Sequence, residues 1–470
     1  MGKFRIPQSR HQLALLPASI DEYVCGEDAV RYVDAVVEEF DLRELESRFS
    51  TVGRPAYQPR VLIKVILYGK LRGVRSSREL ARACRENLRF IFLAQDEKPD
   101  FRTISDFRKY HLDILGSLLK QTVEIGVKEG VIDLKHVAVD GTKIRANASS
   151  KSFQKPEKLE RLLSALEKSL HEDVKSEELE DEEYGEDDWE FKLPKRLQDK
   201  KALAERIRES LREYERLDED KQPKQISKTD GDARFMKGPD GKRVYYNAQI
   251  AVDEKSRMAV GARVTNAGSD HGELKPMINE IKTTAGSFPE KLSADKGYRA
   301  TEGIVALEEE GIEGFVPLQA SSSNRIEFDQ FIYDDEYDEY LCPEGRSLVY
   351  IGEKPEIKAD VYESESCSGC LRHASCIVSP NSRRTLKVSH DIGAIQRMRA
   401  RMDSEAGKAM SRARSMTVEV AFAWKKIHQN LRRFMFRGRA AVNDEWRFEA
   451  VALNVARLVS GRMKLEACST

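Results

Sequence analysis

Apolar residues in the first 130 positions recur with a helical period. Val30, Val33, Val36, Val37 and Phe40 fall on one face. Val61 to Leu67 is apolar nearly all round and follows Pro59, a residue suited to the first turn of a helix. After a turn at Gly73, Ser76 with Glu79 three residues on forms a capping box, and Thr103 with Asp106 repeats it before Phe107. Short helices with basic faces and tight turns suit a helix-turn-helix type of nucleic-acid reader. A helical domain for folding or dimerisation is the alternative. Arg54, Arg60, Arg72, Arg75, Arg78, Arg82, Arg85 and Arg89 tilt the reading toward phosphate contact.

From His136 the pattern changes. His136-Val137-Ala138-Val139-Asp140 reads as a short buried strand ending in an acid, with Gly141 starting a turn. A helical stretch on Leu159, Leu162, Leu163 and Leu166 and another from Ala202 to Leu217 enclose Glu172 to Glu190, where acids dominate. This predicts an inserted helical hairpin with a solvated or disordered acidic tip. Alternating segments from Arg243 to Val252 and Arg257 to Thr265 flank Asp253-Glu254-Lys255-Ser256, a hairpin signal. A helix from about Gly272 to Thr284 leads to Lys291-Leu292-Ser293-Ala294-Asp295, a second strand ending in an acid. A helix near Thr301 to Glu310, a strand at Gly314 to Pro317, a Cys-rich segment, a long helix from Ile392 to Arg437 and a helix from Asp444 to Val459 follow.

Strands joined through crossover helices imply a mixed sheet with helices on its faces. The fold expected is α/β: an RNase H-like mixed sheet with flanking helices, preceded by an all-helical N-terminal domain. The boundaries read as 1–130 for a helical DNA-binding or dimerisation domain and 131–470 for the sheet domain. A helical acidic insertion at 151–222 and a Cys-rich one at 328–380 interrupt the latter.

Charge alters this picture little at first. The 79 Lys and Arg nearly balance the 80 Asp and Glu, for a net charge of −1. The signs are segregated, with an acidic middle and basic stretches near both ends. No apolar run reaches membrane-spanning length and no signal-peptide core follows Met1, so a cytoplasmic, nucleoid-associated protein without a membrane partner is expected. Seven cysteines, an odd count in such a setting, argue against a disulfide framework and leave metal binding open.

The candidate chemistry lies at the strand ends. Asp140-Gly141-Thr142-Lys143 and Asp295-Lys296-Gly297-Tyr298 each put a carboxylate on a rigid element facing a crevice. Mg²⁺ prefers a few carboxylates plus water, so three acids from separate elements would form a suitable cradle for two ions in phosphodiester cleavage. The third acid is expected from the long helix: Glu419 is the sole acid in Thr417 to Lys426, with Arg412 and Lys426 seven residues either side. A salt-bridged surface Glu is the alternative. Asp230, Asp232 and Asp270 are rival acids, each read as a support or turn residue.

These segments resemble the DDE transposases of bacterial insertion sequences. The resemblance rests on Tyr57-Gln58-Pro59, Val139-Asp140-Gly141-Thr142-Lys143, Lys228-Thr229-Asp230-Gly231-Asp232-Ala233-Arg234, Tyr246-Asn247-Ala248-Gln249, Asn266-Ala267-Gly268-Ser269-Asp270, Ala294-Asp295-Lys296-Gly297-Tyr298 and Val418-Glu419 with Lys426, in that order. It implies that Asp140, Asp295 and Glu419 bind two catalytic Mg²⁺ or Mn²⁺ ions. It also implies cleavage of double-stranded DNA at element ends, transfer of the 3′ end to target DNA, and a homodimer on DNA. The family's helix motif expects Tyr and Arg where Arg412 and Ser415 stand, so Arg412 or Arg414 is expected to replace the missing cation. An RNase H-like nuclease without strand transfer and an inactive DNA-binding regulator are the alternatives.

Two features remain. Cys342, Cys367, Cys370 and Cys376 have the spacing of a closed, structural tetrahedral Zn²⁺ site, with His373 a spare ligand and reduced or redox-active thiols the alternatives. The late basic stretch, with Arg412, Lys425, Lys426, Arg432 and Arg433 as the DNA-contacting set, suits a nucleic-acid backbone. Trp424 is read as packing the helix on the sheet, or as stacking on an unpaired base.

Overall fold

The computed structural model describes residues 19–50, 55–184, 195–218, 222–318, 328–377, 383–427 and 429–469. Its first third is helical: α1 (Ala29–Glu38), α2 (Arg43–Ser47), α3 (Pro59–Leu71), α4 (Ser77–Glu86), α5 (Leu88–Ala94), α6 (Phe101–Tyr110) and α7 (Leu112–Lys128). Pro59 opens α3 as expected. The capping signatures fared differently. Ser76 precedes α4 but makes no side-chain cap bond. The next-but-one helix, α6, starts earlier than predicted because Asp100 accepts from Thr103 N at 2.8 Å, satisfying a first-turn amide that the sequence left to Thr103.

Strand β1 (His136–Arg145) follows, then β2 (Phe153–Gln154), α8 (Pro156–Tyr184), α9 (Lys195–Glu215), β3 (Ile226–Ser227), β4 (Arg234–Gly238), β5 (Gly241–Asp253) and β6 (Ala259–Thr265). Next come α10 (Leu274–Ala285), β7 (Lys291–Ser293), α11 (Thr301–Glu309) and β8 (Glu313–Phe315). The main sheet has the order β4-β5-β1-β7-β8, with β6 also pairing with β5. Strands β5, β4 and β6 are antiparallel neighbours, whereas β1, β7 and β8 run parallel. This mixed sheet behind a helical block is the RNase H-like arrangement expected from the element order.

The α8–α9 pair packs on its own small core of Leu159, Ile207 and Leu211 and is pinned at its base by the β2–β3 ladder. The expected acidic tip, Glu172 to Glu190, lies mostly outside the described residues and side chains. The Cys-rich segment folds as an antiparallel sheet of β9 (Ile332–Asp334), β10 (Glu339–Leu341), β11 (Ser347–Lys354), β12 (Ala359–Ser364) and β13 (Thr385–Ser389), with the short α12 (His373–Cys376) beside it. Phe331, Tyr340, Leu348, Tyr362, Leu386 and Val388 form its separate core.

The predicted single long helix is two, α13 (Ile392–Asp403) and α14 (Glu405–Ile427), and residues 429–438 are not helical. Gly407 permits the break: its position for a Cβ lies against the Met402 backbone. The last helix, α15 (Arg439–Ser469), is longer than predicted. It packs on α7, α1, α3 and β6. Asn443 and Asn454, eleven residues apart and so on one face, reach the β6 backbone. Asn443 accepts from Val264 N at 2.8 Å, and Asn454 both accepts from Ala259 N and donates to its carbonyl. Edge groups of the sheet are thereby covered by a helix. Trp446, fully buried, donates from Nε1 to Gln249 O at 2.7 Å. Among the described residues no helix is long and apolar enough to cross a membrane.

Candidate active site

The parallel pairing of β1 with β7 sets Ala138 opposite Ser293. Asp140 and Asp295 each follow that pair by two residues, and they are near enough for the Asp295 charge to act on Asp140. Asp140 Oδ1 accepts from Gly141 N at 2.8 Å. Asp295 Oδ1 accepts from Gly297 N at 2.7 Å and caps a single 3₁₀ turn, Lys296–Tyr298. Burial pushes the Asp140 carboxyl above the usual range and Asp295 pushes it the same way, while Arg414 opposes both. The two sequence-predicted aspartates therefore meet.

Glycine is needed close to both aspartates: a Cβ on Gly141 would stand 2.7 Å from Asp270 Oδ1, against Gln249 and Asn247, and one on Gly297 would stand 2.8 Å from Asp295 Oδ1. The donors at Asp140 and Asp295 are hard carboxylate oxygens, a set that fits Mg²⁺ or Mn²⁺. Asp140 and Asp295 are the residues positioned to hold such an ion.

The helix acid behaves otherwise. From α14 it is Arg414 that reaches the pair, with Nη1 2.9 Å from Asp140 Oδ2. Of the two candidate cations, Arg414 is the one on the aspartate, and Arg412 is exposed. Glu419 is exposed as well. Five residues at 100° each turn it about 140° away from the Arg414 direction. The structure thus brings Asp140 and Asp295 together and leaves Glu419 on the outer side of α14. Among the described residues no group of three or more carboxylate, imidazole or thiol side chains is arranged to hold a metal ion as it stands.

The rival acids take other places. Asp230, buried, accepts from Tyr246 OH at 2.5 Å and from Gly438 N at 3.2 Å, and Asp232 accepts from Arg439 N at 2.8 Å. Both tie the 230–232 loop to the start of α15, as support residues. Asp270 lies instead beside the aspartate pair. Its Oδ1 accepts from Asn247 Nδ2 and Gln249 Nε2, each at 2.7 Å, with Lys143 Nζ 3.5 Å away. The buried Tyr298 hydroxyl donates to Gln249 Oε1. Burial, then Asp270, Asp140 and Asp295, hold that phenol protonated well above its ordinary range. The Asn247–Gln249 and Asp270 segments were singled out in the sequence, but pairing them needed the β5–β6 register.

The basic set divides. Arg412, Lys426, Arg432 and Arg433 are exposed. Lys425 is not: it is 1% exposed, its ammonium lies 4.5 Å from the centre of the Trp446 ring, and burial lowers its pKa to about 7. It is removed from the DNA-contacting set, because its place on α14 faces α15 rather than solvent. Several N-terminal arginines are likewise structural. Arg60 donates to the carbonyls of Val37, Glu38 and Phe40, Arg75 pairs with Glu445 and Glu449, and Arg89 pairs with Asp28. Arg54 lies outside the described residues. Trp424 is half-buried against the main core.

Cys342, Cys367, Cys370 and Cys376 line one cavity of about 20 Å³ with His373. Cys342 sits in a tight turn in which Arg346 N approaches its Sγ at 3.3 Å, and Ser364 Oγ lies 3.0 Å from Cys367 Sγ. Burial raises the Cys376 thiol, with Cys367, Cys370 and Cys342 adding to the effect. The four thiols therefore share one small space.

No curated protein and no solved structure matches the chain. Two family models do. Residues 18–110 match the one described as Transposase domain (DUF772), which spans α1 to α6, and residues 341–459 match the one described as Transposase DDE domain, from the Cys-rich sheet into α15. The second match includes Glu419 but neither aspartate. With a transposase match on either side of the sheet that carries Asp140 and Asp295, the two family models support reading the chain as a DDE transposase of an insertion sequence.

Proposed function

We propose that this transposase cleaves double-stranded DNA at the ends of its element and transfers the freed 3′ end to target DNA, using two divalent metal ions held by Asp140 and Asp295. The observation that carries the reading is the parallel pairing of β1 with β7, which brings Asp140 close enough to Asp295 for one carboxylate to act on the other. When bound, Mg²⁺ or Mn²⁺ supplies Lewis acidity that stabilises the attacking and leaving oxygens of an in-line displacement.

The chain's own residues do the rest. Asp140 and Asp295 fix the reacting phosphate relative to the sheet. Arg414 pairs with Asp140 Oδ2, an oxygen it would have to share or give up to a metal. Glu419 belongs to the proposed ligand set through a movement of α14 that exchanges it for Arg414. Exposed Arg412, Lys426, Arg432 and Arg433 meet the DNA backbone, and a homodimer brings two ends together. The Cys342, Cys367, Cys370 and Cys376 thiolates would hold a structural Zn²⁺, since a shared cavity in a small separate core is where a metal adds stability.

The test uses linear DNA carrying the element's ends. With Mg²⁺ the wild-type chain should cut and then join the 3′ end to a second duplex. Asp140→Asn, Asp295→Asn and Glu419→Gln should each lose cutting while retaining DNA binding. Cutting retained in Asp140→Asn and Asp295→Asn would sink the reading, and cutting without joining would reduce it to a nuclease.

A further inference from the structure

A third carboxylate lies between β1 at Gly141 and the turn that follows Asp295. Asp270 comes from the loop between β6 and α10, and it lies between the backbone that follows Asp140 and the backbone that follows Asp295. Its Oδ1 is 2.7 Å from the place of a Cβ on Gly141, and its Oδ2 is 3.4 Å from that of a Cβ on Gly297. A larger group at Gly141 would strike it, and one at Gly297 would pack against it. Three elements grip the wedge. Asn247 and Gln249 on β5 donate to Oδ1, Lys143 approaches from β1, and Tyr298, in the same 3₁₀ turn as Gly297, donates to Gln249. Oδ1 is thereby fixed, and Oδ2 is turned toward the Asp295 side.

Charge is the informative part. The amides of Asn247 and Gln249 need an acceptor, and a neutral Asn at 270 would supply one through its carbonyl oxygen. The negative charge is therefore unnecessary for those bonds. It also adds a carboxylate on the Asp295 side of the site, where like charges repel. The cations in contact with the three, Arg414 on Asp140 and Lys143 on Asp270, leave one negative charge uncompensated. A divalent cation at the aspartate pair reverses that balance.

We propose that Asp270 is a positioning residue for the catalytic pair, setting the distance between β1 at Gly141 and the Gly297 turn and supplying charge that draws divalent metal to the pair. The proposal rests on the reading of Asp140 and Asp295 as the metal-binding pair. Partners that orient metal-binding groups contribute about 10- to 100-fold in metal affinity, and Asp270 is expected to act within that range.

The experiment is Mn²⁺ titration of the full chain, followed by the electron paramagnetic resonance signal of free Mn²⁺, with thermal melts of the same samples. Asp270→Asn keeps the shape and removes the charge. Asp270→Ser keeps only an acceptor. Each should weaken Mn²⁺ binding about 10- to 100-fold, while the melting temperature without metal stays level or rises. A purely structural residue would behave in reverse, with a lowered melting temperature and unchanged affinity in the folded fraction, and that result overturns the proposal. So does wild-type affinity in both variants. Asp140→Asn is the control: if it binds Mn²⁺ like wild type, the metal-binding reading of the pair fails and this proposal fails with it. If Asp140→Asn loses binding and the Asp270 variants do not, only the proposal falls.

Discussion

Substitution of Glu449 by Gln should uncouple the helical N-terminal block from the catalytic sheet. Glu449 on α15 is fully buried, and its Oε1 pairs with Lys70 Nζ from α3 and, at 2.8 Å, with Arg75 Nη1 from the loop after α3. Glu445, one turn earlier, also pairs with Arg75 and accepts from the backbone amides of Met435 and Phe436. Lys425 from α14 closes the group, and among the described residues no hydrogen-bond partner reaches its ammonium. Burial alone would raise the Glu449 carboxyl, but Arg75, Lys70 and Lys425 more than reverse this and bring it to about 2. Gln at 449 keeps the volume and leaves Lys70, Arg75 and Lys425 facing Glu445 as the remaining buried anion.

Removing one partner of a buried pair costs about 3–5 kcal/mol, because the other charge is stranded. At roughly 2–4 °C per kcal/mol for a cooperative unit of 150–250 residues, the melting temperature should fall by about 6–20 °C. Calorimetry on the full chain measures it. Coupling adds a second reading: Lys70→Met with Glu449→Leu should destabilise less than the two single changes together, since the double change removes both members of the Lys70–Glu449 pair and leaves Arg75 to Glu445. A Glu449→Gln chain that melts within a degree of wild type would refute the reasoning, because its premise is that water does not reach these charges.

The remaining predictions concern other parts of the chain. Burial against α7, where Asp444 backs onto Gly116, raises the Asp444 carboxyl to about 6, with Arg447 opposing and Asp113 adding. Its folded pKa lies above the unfolded 3.8, so its contribution to stability is fully present below about pH 4 and is lost as pH rises through 6. Asp444→Asn should therefore raise the melting temperature at pH 8 and change little near pH 4. The gain is on the order of 1–2 kcal/mol after allowance for the carboxyl's partial contact with water; an unchanged melt at pH 8 would count against it. Chelation of a preparation shown to contain zinc should lower the melting temperature of the Cys-rich sheet, and Cys367→Ser should abolish zinc binding without moving the catalytic metal. Zinc content unchanged in Cys367→Ser would remove that cysteine from the set.

Much of this was legible in the chain. The hairpin and the crossover helices fell close to their places because each has a local signal: a turn tetrad or a 3.6-residue stripe. The strand from His136 does not end at Asp140 with a turn at Gly141 as expected; it runs on to Arg145, because residues 141–145 pair with β5. The meeting of Asp140 with Asp295 followed from the parallel order, although the register that brings them close did not. What stayed hidden was nonlocal. Lys425 and Lys426 read alike in sequence, and only the packing of α14 on α15 tells which is buried. Arg75 and Arg60 look like phosphate contacts until their carboxylate and carbonyl partners, far away in sequence, are in view. The break at Ser404 escaped notice because Ile392 to Ile427 is helical on both sides of it. Asp270 was visible as an acid, but its wedging between two glycines depends on the convergence of β1, β5 and the Tyr298 turn. Glu419 matched a motif, and the motif does not say which side of α14 it occupies.

The central claim is that Asp140 and Asp295 share divalent metal, and anomalous diffraction from crystals of the full chain soaked in Mn²⁺ tests it most directly. The account predicts manganese bound to carboxylate oxygens of both aspartates, with Arg414 displaced from Asp140. Saturating Mn²⁺ that leaves the Arg414–Asp140 pair intact, with no manganese between the aspartates, would contradict it.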